Sequence, residues 1–252
     1  MVECGAASFS RSIPRGLAHS EREAADAGKS GTSPSIINGV LLGLQSLAIR
    51  RTSKFLMPSY PPGRRNSFSL PASHTARAVF LDRDGVINRC VVRENKPYPP
   101  GSLAEFEFLP GVIEACRLLK EAHFLLVVIT NQPDVGRGTQ RQAVVEEIHR
   151  HVCKNLPIDR LEVCYDGGDA PSEFRKPAPG MVLRAARELE IDLEQSFLVG
   201  DRWRDVDCGV AAGCRTVFID YGYREKLRAK PDFRVSNLLE AANLILSLSS
   251  KP

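Results

Sequence analysis

Asp82 and Asp84 sit two residues apart in Phe80-Leu81-Asp82-Arg83-Asp84-Gly85, where an apolar run ends. On an extended strand alternate side chains share a face, so this spacing aims both carboxylates one way and Arg83 the other. Like charges on one face repel, and a cation between them removes that cost. Mg²⁺ suits the position, being hard, oxygen-seeking and usually held by one or two carboxylates together with substrate phosphate. Gly85 lets the chain turn sharply afterwards. Taken alone, the cluster also reads as an acidic turn at a strand end.

Three further clusters follow. Thr130-Asn131-Gln132 closes a second apolar run. A hydroxyl and backbone N–H groups at a strand end can hold phosphoryl oxygens, although the same residues are ordinary turn formers. Arg175-Lys176-Pro177-Ala178-Pro179-Gly180 fixes two cations ahead of a helix. A lysine offers a phosphoryl group a compact charge, and an arginine offers a fork for a second phosphate or a hydroxyl. Solvated basic residues before a helix are the alternative. Gly200-Asp201-Arg202-Trp203-Arg204-Asp205 brings a carboxylate to a further strand end. There Asp201 either completes a metal's ligand set or caps the next helix. Asp205 returns to a similar angle if the helix has begun, and either joins the metal, caps the helix or supports the ligands from behind.

The elements that must position these groups are short apolar runs alternating with helical patterns. Strands are predicted over residues 78–81, 124–130, 161–164, 197–199 and 216–219, continuous in the manner of a sheet covered on both faces. Helices are predicted over 111–122 behind Pro110, 139–154 capped by Thr139, 179–190, 203–212 and 236–248. This alternation predicts an α/β fold with a doubly wound, Rossmann-like parallel sheet, in which ligands bind beyond the carboxyl ends of the strands. The polar clusters stand at those ends. Connections after Asp84 are too short for a large cap domain, so an open site is expected. Its specificity then rests on the loops 89–106 and 164–175.

In this order, D-x-D-G, a Thr, a Lys and G-D-x-x-x-D resemble the haloacid dehalogenase superfamily of phosphohydrolases over essentially all of residues 78–248. FLDRDGVIN, EFEFLPGV, TNQPDVGRG, FRKPAPGM and VGDRWRDVDCGVAAG look closer still to its D-glycero-D-manno-heptose 1,7-bisphosphate phosphatase branch, which is similar to the histidinol-phosphatase domain. The resemblance implies that Asp82 is a covalent nucleophile and Asp84 a general acid, then base. It implies that Thr130 and Lys176 hold the transferring phosphoryl group. Asp82, Asp84 (through its backbone carbonyl) and Asp201 would bind Mg²⁺. Arg175 and Arg202 would contact substrate, with Asn131 and Gln132 lining the site.

One departure concerns zinc. Members of this branch usually carry a structural zinc loop, C-x-H…C-x-C, just before R-K-P. Here Cys164 is followed by Asp166 at the His position and by Ser172 and Phe174 at the Cys positions. One thiolate, one carboxylate and a serine make a poor tetrahedral set, and Phe174 supplies no ligand, so no structural zinc is expected. Cys90 stands where an acidic residue is common.

The 252 residues, 43% of them hydrophobic, suffice for one domain with a full core. Ten of the 34 Lys/Arg and four of the 30 Asp/Glu fall in residues 1–77, so the net charge of +4 belongs to that segment. A nucleic-acid partner for residues 78–252 thereby loses its main support. Residues 1–77, rich in Ser, Gly, Pro and Arg, are expected to be a disordered leader, either a real tail or an over-extended start ahead of Met57. The seven cysteines include no C-x-x-C pair and fit reduced thiols. No apolar run reaches membrane-spanning length. The expectation is a cytoplasmic, monomeric phosphatase of carbohydrate metabolism acting on a small phosphorylated metabolite. Its rivals are a phosphatase of histidinol phosphate or of nucleic-acid 3′-phosphates, and a non-catalytic metabolite-binding protein of the same fold. The intact set of Asp82, Asp84, Thr130, Lys176 and Asp201 argues against the last.

Overall fold

The computed structural model of the chain describes residues 75–93, 96–168 and 170–249. The leader expected over residues 1–77 lies outside them except for its last three residues. The strands are β1 (Ala78–Leu81), β2 (Val91–Arg93), β3 (Lys96–Tyr98), β4 (Leu125–Asn131), β5 (Arg160–Cys164), β6 (Phe197–Gly200), β7 (Arg215–Ile219) and β8 (Phe233–Val235). The helices are α1 (Val112–Glu121), α2 (Pro133–Gly136), α3 (Gln142–Asn155), α4 (Gly180–Glu188), α5 (Trp203–Ala212) and α6 (Leu238–Ser249).

Six strands form one sheet in the order β5-β4-β1-β6-β7-β8, and each pairing is parallel. The period-2 alternation of β1 explains why both faces are covered. Val79 and Leu81 join a core with residues of α1 and α6, while Ala78 and Phe80 join a second core with residues of α4 and α5. All four β1 side chains are fully buried, so truncating Phe80 to Ala would cost about 3–5 kcal/mol. The chain winds from β1 outward to β4 and β5, then returns to β6 and winds the other way to β8. Loops leaving β1 and β6 therefore diverge, and a crevice opens between them at the strands' carboxyl ends.

The expected fold class is present, and the differences are local. Helix α3 begins at Gln142 rather than at 139, because the Thr139 hydroxyl and N–H both turn back to the carbonyl of Asp134. The antiparallel hairpin β2–β3 carries Pro97, which is at home only in an edge or isolated pair and hides the strand from a sequence pattern. No helix among the described residues is long and apolar enough to cross a membrane.

Candidate active site at the strand ends

Strand β1 ends at Leu81, and the next backbone N–H, that of Asp82, donates to Val199 of β6 at 3.0 Å. This bond ties the first acidic residue to the neighbouring strand end. Ligand oxygens of Asp82, Asp201 and Asp205, all buried, lie within 4.8 Å of one another. Lys176, from the loop before α4, places Nζ 2.8 Å from Asp82 Oδ1 and 2.7 Å from Asp205 Oδ1. It donates a further bond to the Ile129 carbonyl at 3.0 Å. Asn131 fixes the lysine by two reciprocal bonds, its amide donating to the Lys176 carbonyl at 3.0 Å and its oxygen accepting the Lys176 N–H at 3.1 Å. Three strand ends and one loop thus bring all four sequence clusters together.

The electrostatics follow from burial. Desolvation pushes Asp82 up from 3.8 to about 7; Asp205 and Asp84 add to the rise, and Lys176 pulls it back. Desolvation likewise holds Asp201 well above the usual carboxylate range, with the charges of Asp82 and Asp205 adding. Burial disfavours the Lys176 ammonium, yet Asp205 and Asp82 outweigh it and hold the group above its ordinary value. The Lys176 ammonium contacts two of these three carboxylates, and Asp201 Oδ1 is buried with no hydrogen-bond partner. An orphaned buried carboxylate oxygen is costly unless a cation meets it. Gly85, at φ 89°, makes the approach possible, since a Cβ there would stand 2.2 Å from Asp201 Oδ2. The hard, all-oxygen donor set fits Mg²⁺.

Asp201 does not cap α5. Arg202 is the N-cap, and Asp205 closes the first turn by accepting the Arg202 N–H at 3.0 Å. Both Asp205 oxygens therefore already have donors, one from this turn and one from Lys176. Gly200 permits that packing, because a Cβ there would meet the Asp205 Cβ at 2.1 Å.

Asp84 stands apart from this group. Its carboxylate accepts Arg83 Nη2 at 2.9 Å, Asn88 Nδ2 at 3.0 Å and Gln132 Nε2 at 2.8 Å. Arg83 thus meets Asp84 instead of pointing away from it as strand alternation predicts. Strand geometry stops at Leu81, so the alternation does not extend to residues 83 and 84. Arg83 is fully buried, and its Nη1 meets His149 Nε2 at 3.0 Å. Burial, then the Arg83 charge, lowers His149 to about 3. The imidazole is thus neutral and Nε2 accepts, which leaves the proton on Nδ1.

A cavity of about 150 Å³ opens over this centre, and Asp82, Asp84, Asn131, Lys176 and Asp201 form part of its wall. Thr130 and Gln132 do not line it; the Gln132 amide bridges the Thr130 hydroxyl, at 2.9 Å, and Asp84. Arg175 and Arg202 do line it. Arg175 Nη1 donates to the Asp166 carbonyl at 3.2 Å, while Arg202 forks onto Glu225 at 2.6 and 2.9 Å. The hairpin residues Pro97 and Tyr98, from the loop 89–106 expected to set specificity, and Arg204 also line the cavity; reasoning from the sequence missed Arg204, Glu225 and His149. Arg204 had left a signal. A second cation in the first turn of a helix opposes the helix dipole, and such local conflicts mark functional positions.

In the loop where zinc ligands are missing, Cys164 Sγ lies 3.4 Å from Asp166 Oδ2 and 3.9 Å from Ser172 Oγ. The Phe174 N–H donates to Ser172 at 3.3 Å, and the Phe174 ring lies under the Arg184 guanidinium. Among the described residues, the carboxylates of Asp82, Asp201 and Asp205 are the one His/Cys/Asp/Glu group with metal-binding spacing.

Comparison with known proteins gives a consistent result. A family model described as "HAD-hyrolase-like" matches residues 173–241. The chain is 38% identical over 153 residues to the D-glycero-beta-D-manno-heptose-1,7-bisphosphate 7-phosphatase of Yersinia pestis, covering 55% of this chain and 77% of that protein. It is 33% identical over 169 residues to the D-glycero-D-manno-heptose-1,7-bisphosphate 7-phosphatase of Chlorobaculum tepidum, covering 60% of this chain and 82% of that one. The crystal structure of the D,D-heptose 1.7-bisphosphate phosphatase from B. bronchiseptica, complexed with magnesium and phosphate, superposes with a TM-score of 0.60 at 28% identity. It covers 68% of this chain and 99% of that one.

Proposed function

Since the chain belongs to the heptose-bisphosphate phosphatase family of haloacid-dehalogenase-like phosphoric monoester hydrolases, we propose that it removes the 7-phosphate of D-glycero-D-manno-heptose 1,7-bisphosphate, with Asp82 as nucleophile. The observation that carries this reading is the buried contact of Lys176 with Asp82, 2.8 Å long, beside the unpartnered oxygen of Asp201.

Asp82 Oδ1 is occupied, accepting the Arg83 N–H at 2.7 Å and Lys176 at 2.8 Å. Oδ2 has no hydrogen-bond donor among the described residues and is the oxygen free to attack. In the first step it bonds to phosphorus, the bond from phosphorus to the sugar oxygen breaks, and Asp84 gives that leaving oxygen a proton. In the second step water attacks phosphorus and passes a proton to Asp84. The aspartyl–phosphorus bond breaks, releasing inorganic phosphate and restoring the Asp82 carboxylate. Lys176 opposes the protonation of Asp82 and offsets charge on the phosphoryl oxygens. Arg83, Asn88 and Gln132 orient Asp84. Thr130 serves through Gln132, and Asn131 through Lys176.

Asp82 and Asp201, with the Asp84 backbone carbonyl, would hold Mg²⁺, whose charge would neutralise the phosphoryl oxygens as the bond to the leaving group lengthens. Asp205 supports this set through Lys176. The direct test is phosphate release from D-glycero-D-manno-heptose 1,7-bisphosphate and from histidinol phosphate, each with Mg²⁺ and with chelator. We expect metal-dependent turnover of the bisphosphate with kcat/KM about a hundredfold or more above histidinol phosphate, a gap of about 3 kcal/mol. Faster release from histidinol phosphate would reject the substrate assignment.

A further inference from the structure

The cavity wall holds four cations, Arg175, Lys176, Arg202 and Arg204. Two are matched to acids: Lys176 to Asp82 and Asp205, and Arg202 to Glu225. The other two are not. Arg175 donates to the Asp166 backbone carbonyl, and neither Arg175 nor Arg204 forms an ion pair among the described residues. The acids nearest Arg204 in electrostatic terms are Glu225 and Asp205. Both are already engaged, Glu225 by the Arg202 fork and Asp205 by Lys176 and the Arg202 N–H.

Arg204 is nonetheless held in place. Its guanidinium lies 5.0 Å from the centre of the Trp203 ring, which Arg228 also covers at 3.5 Å. Stacking of this kind restrains an arginine while leaving its in-plane N–H donors free. The principal charges acting on Asp82 and Asp201 include Lys176 and Arg202 but neither Arg175 nor Arg204. Arg175 and Arg202 are instead the like charges that bear on Arg204. The two unmatched guanidiniums therefore form a pair set off from the reacting carboxylates yet facing the same cavity.

We infer that Arg204, with Arg175, forms a second anion subsite that receives the phosphate which stays on the sugar, and that Arg204 thereby selects bisphosphates over monophosphates. Within the reading proposed above, on which this rests, that group is the 1-phosphate. A guanidinium fork matches a phosphate dianion bidentately, and a half-buried pair of cations repelling each other is relieved when one arrives. The leaving 7-phosphate belongs to Asp82 and Lys176, so the subsite governs affinity and choice of substrate rather than the chemical step.

The test uses the Asp82→Asn protein, which binds without turnover, in Mg²⁺ buffer. Calorimetry gives Kd for D-glycero-D-manno-heptose 1,7-bisphosphate and for the 7-phosphate, which lacks the distal group. We expect the bisphosphate to bind about tenfold or more tightly, and Arg204→Gln to reduce that ratio to about twofold or less. Arg204→Lys, which keeps the charge and loses the fork, should fall between, and it serves if the Gln variant does not fold. An unchanged ratio in the variants, or no preference in the parent, overturns the inference. If the wild-type protein releases no phosphate from the bisphosphate while the Arg204-dependent preference persists, the substrate reading fails and the subsite stands.

Discussion

The Lys176 ammonium lies 2.8 Å from the Asp82 carboxylate at a point where both are shielded from water. Burial alone drives Asp82 toward its protonated, unreactive form, and Lys176 is the chief charge opposing it. The lysine therefore sets the ionisation of the proposed nucleophile, besides the charge it would offer to phosphate. Its own position depends on Asn131, which bonds its backbone on both sides.

Replacing Lys176 by Met should lower kcat about a thousandfold, the scale seen when one oriented donor leaves an active site. Asp82 would then face Asp205 and Asp84 without its chief opposing cation, so its pKa rises further. The acid limb of the pH–rate profile, read with saturating Mg²⁺, should move to higher pH. A variant with lowered kcat but an unshifted limb would mean that Lys176 acts on phosphate alone.

Gly85→Ala tests the metal set. Alanine at φ 89° is strained by about 1 kcal/mol, and its Cβ would collide with Asp201 Oδ2. Asp201 must move, so the Mg²⁺ affinity measured by calorimetry should fall about tenfold or more. The fold should survive, because the turn lies outside β1. Undiminished Mg²⁺ binding would remove Asp201 from the ligand set.

A pH dependence follows from the same groups. Asp82 is raised from 3.8 to about 7 in the metal-free protein. Between those values the folded chain keeps a proton that the unfolded chain has lost, so this group makes stability fall as pH rises. His149, lowered from 6.5 to about 3, acts oppositely: its contribution is lost as pH falls below 6.5. Mg²⁺ competes with the protons on Asp82 and Asp201 but not with His149, which cancels in a comparison with and without metal. The Mg²⁺-induced rise in Tm should thus be small near about pH 5 and grow toward about pH 8. A rise independent of pH would show that the metal binds elsewhere.

Much of this centre is legible in the sequence because it is built from strand ends. Residues 78–81 are apolar without interruption, which fixes β1 to the residue and places Asp82 at its tip. The same logic locates Asp201 after β6 and Thr130 at the end of β4. What escapes is contact between side chains from distant elements. The strand period that would put Arg83 on the face opposite Asp84 ends at Leu81, ahead of both residues. Glu225 lies in an irregular stretch with no pattern to reveal that it meets Arg202. His149 shares the buried face of α3 with Val145, Ile148 and Val152, so helical spacing reveals its burial but not the buried arginine that it meets.

That last pair yields a prediction of its own. Arg83 bridges His149 and Asp84, so His149 positions the proposed acid and base from behind. His149→Phe would leave Arg83 Nη1 buried without an acceptor, costing about 1–3 kcal/mol. In a domain of this size that is roughly 2–4 °C of Tm per kcal/mol. The loosened arginine should reorient Asp84, lowering kcat about tenfold while KM stays within about twofold, since the loss falls on the transition state. A Gln at this position offers a carbonyl that can accept the same bond, so His149→Gln should recover most of kcat. His149→Phe should also lose less stability than the wild type below about pH 6.5, because no imidazole remains to be denied its proton in the fold. Parallel melts and steady-state kinetics on the two variants decide the matter. Equal loss of kcat in both, or normal kcat in the Phe variant despite a lowered Tm, would confine His149 to holding the fold.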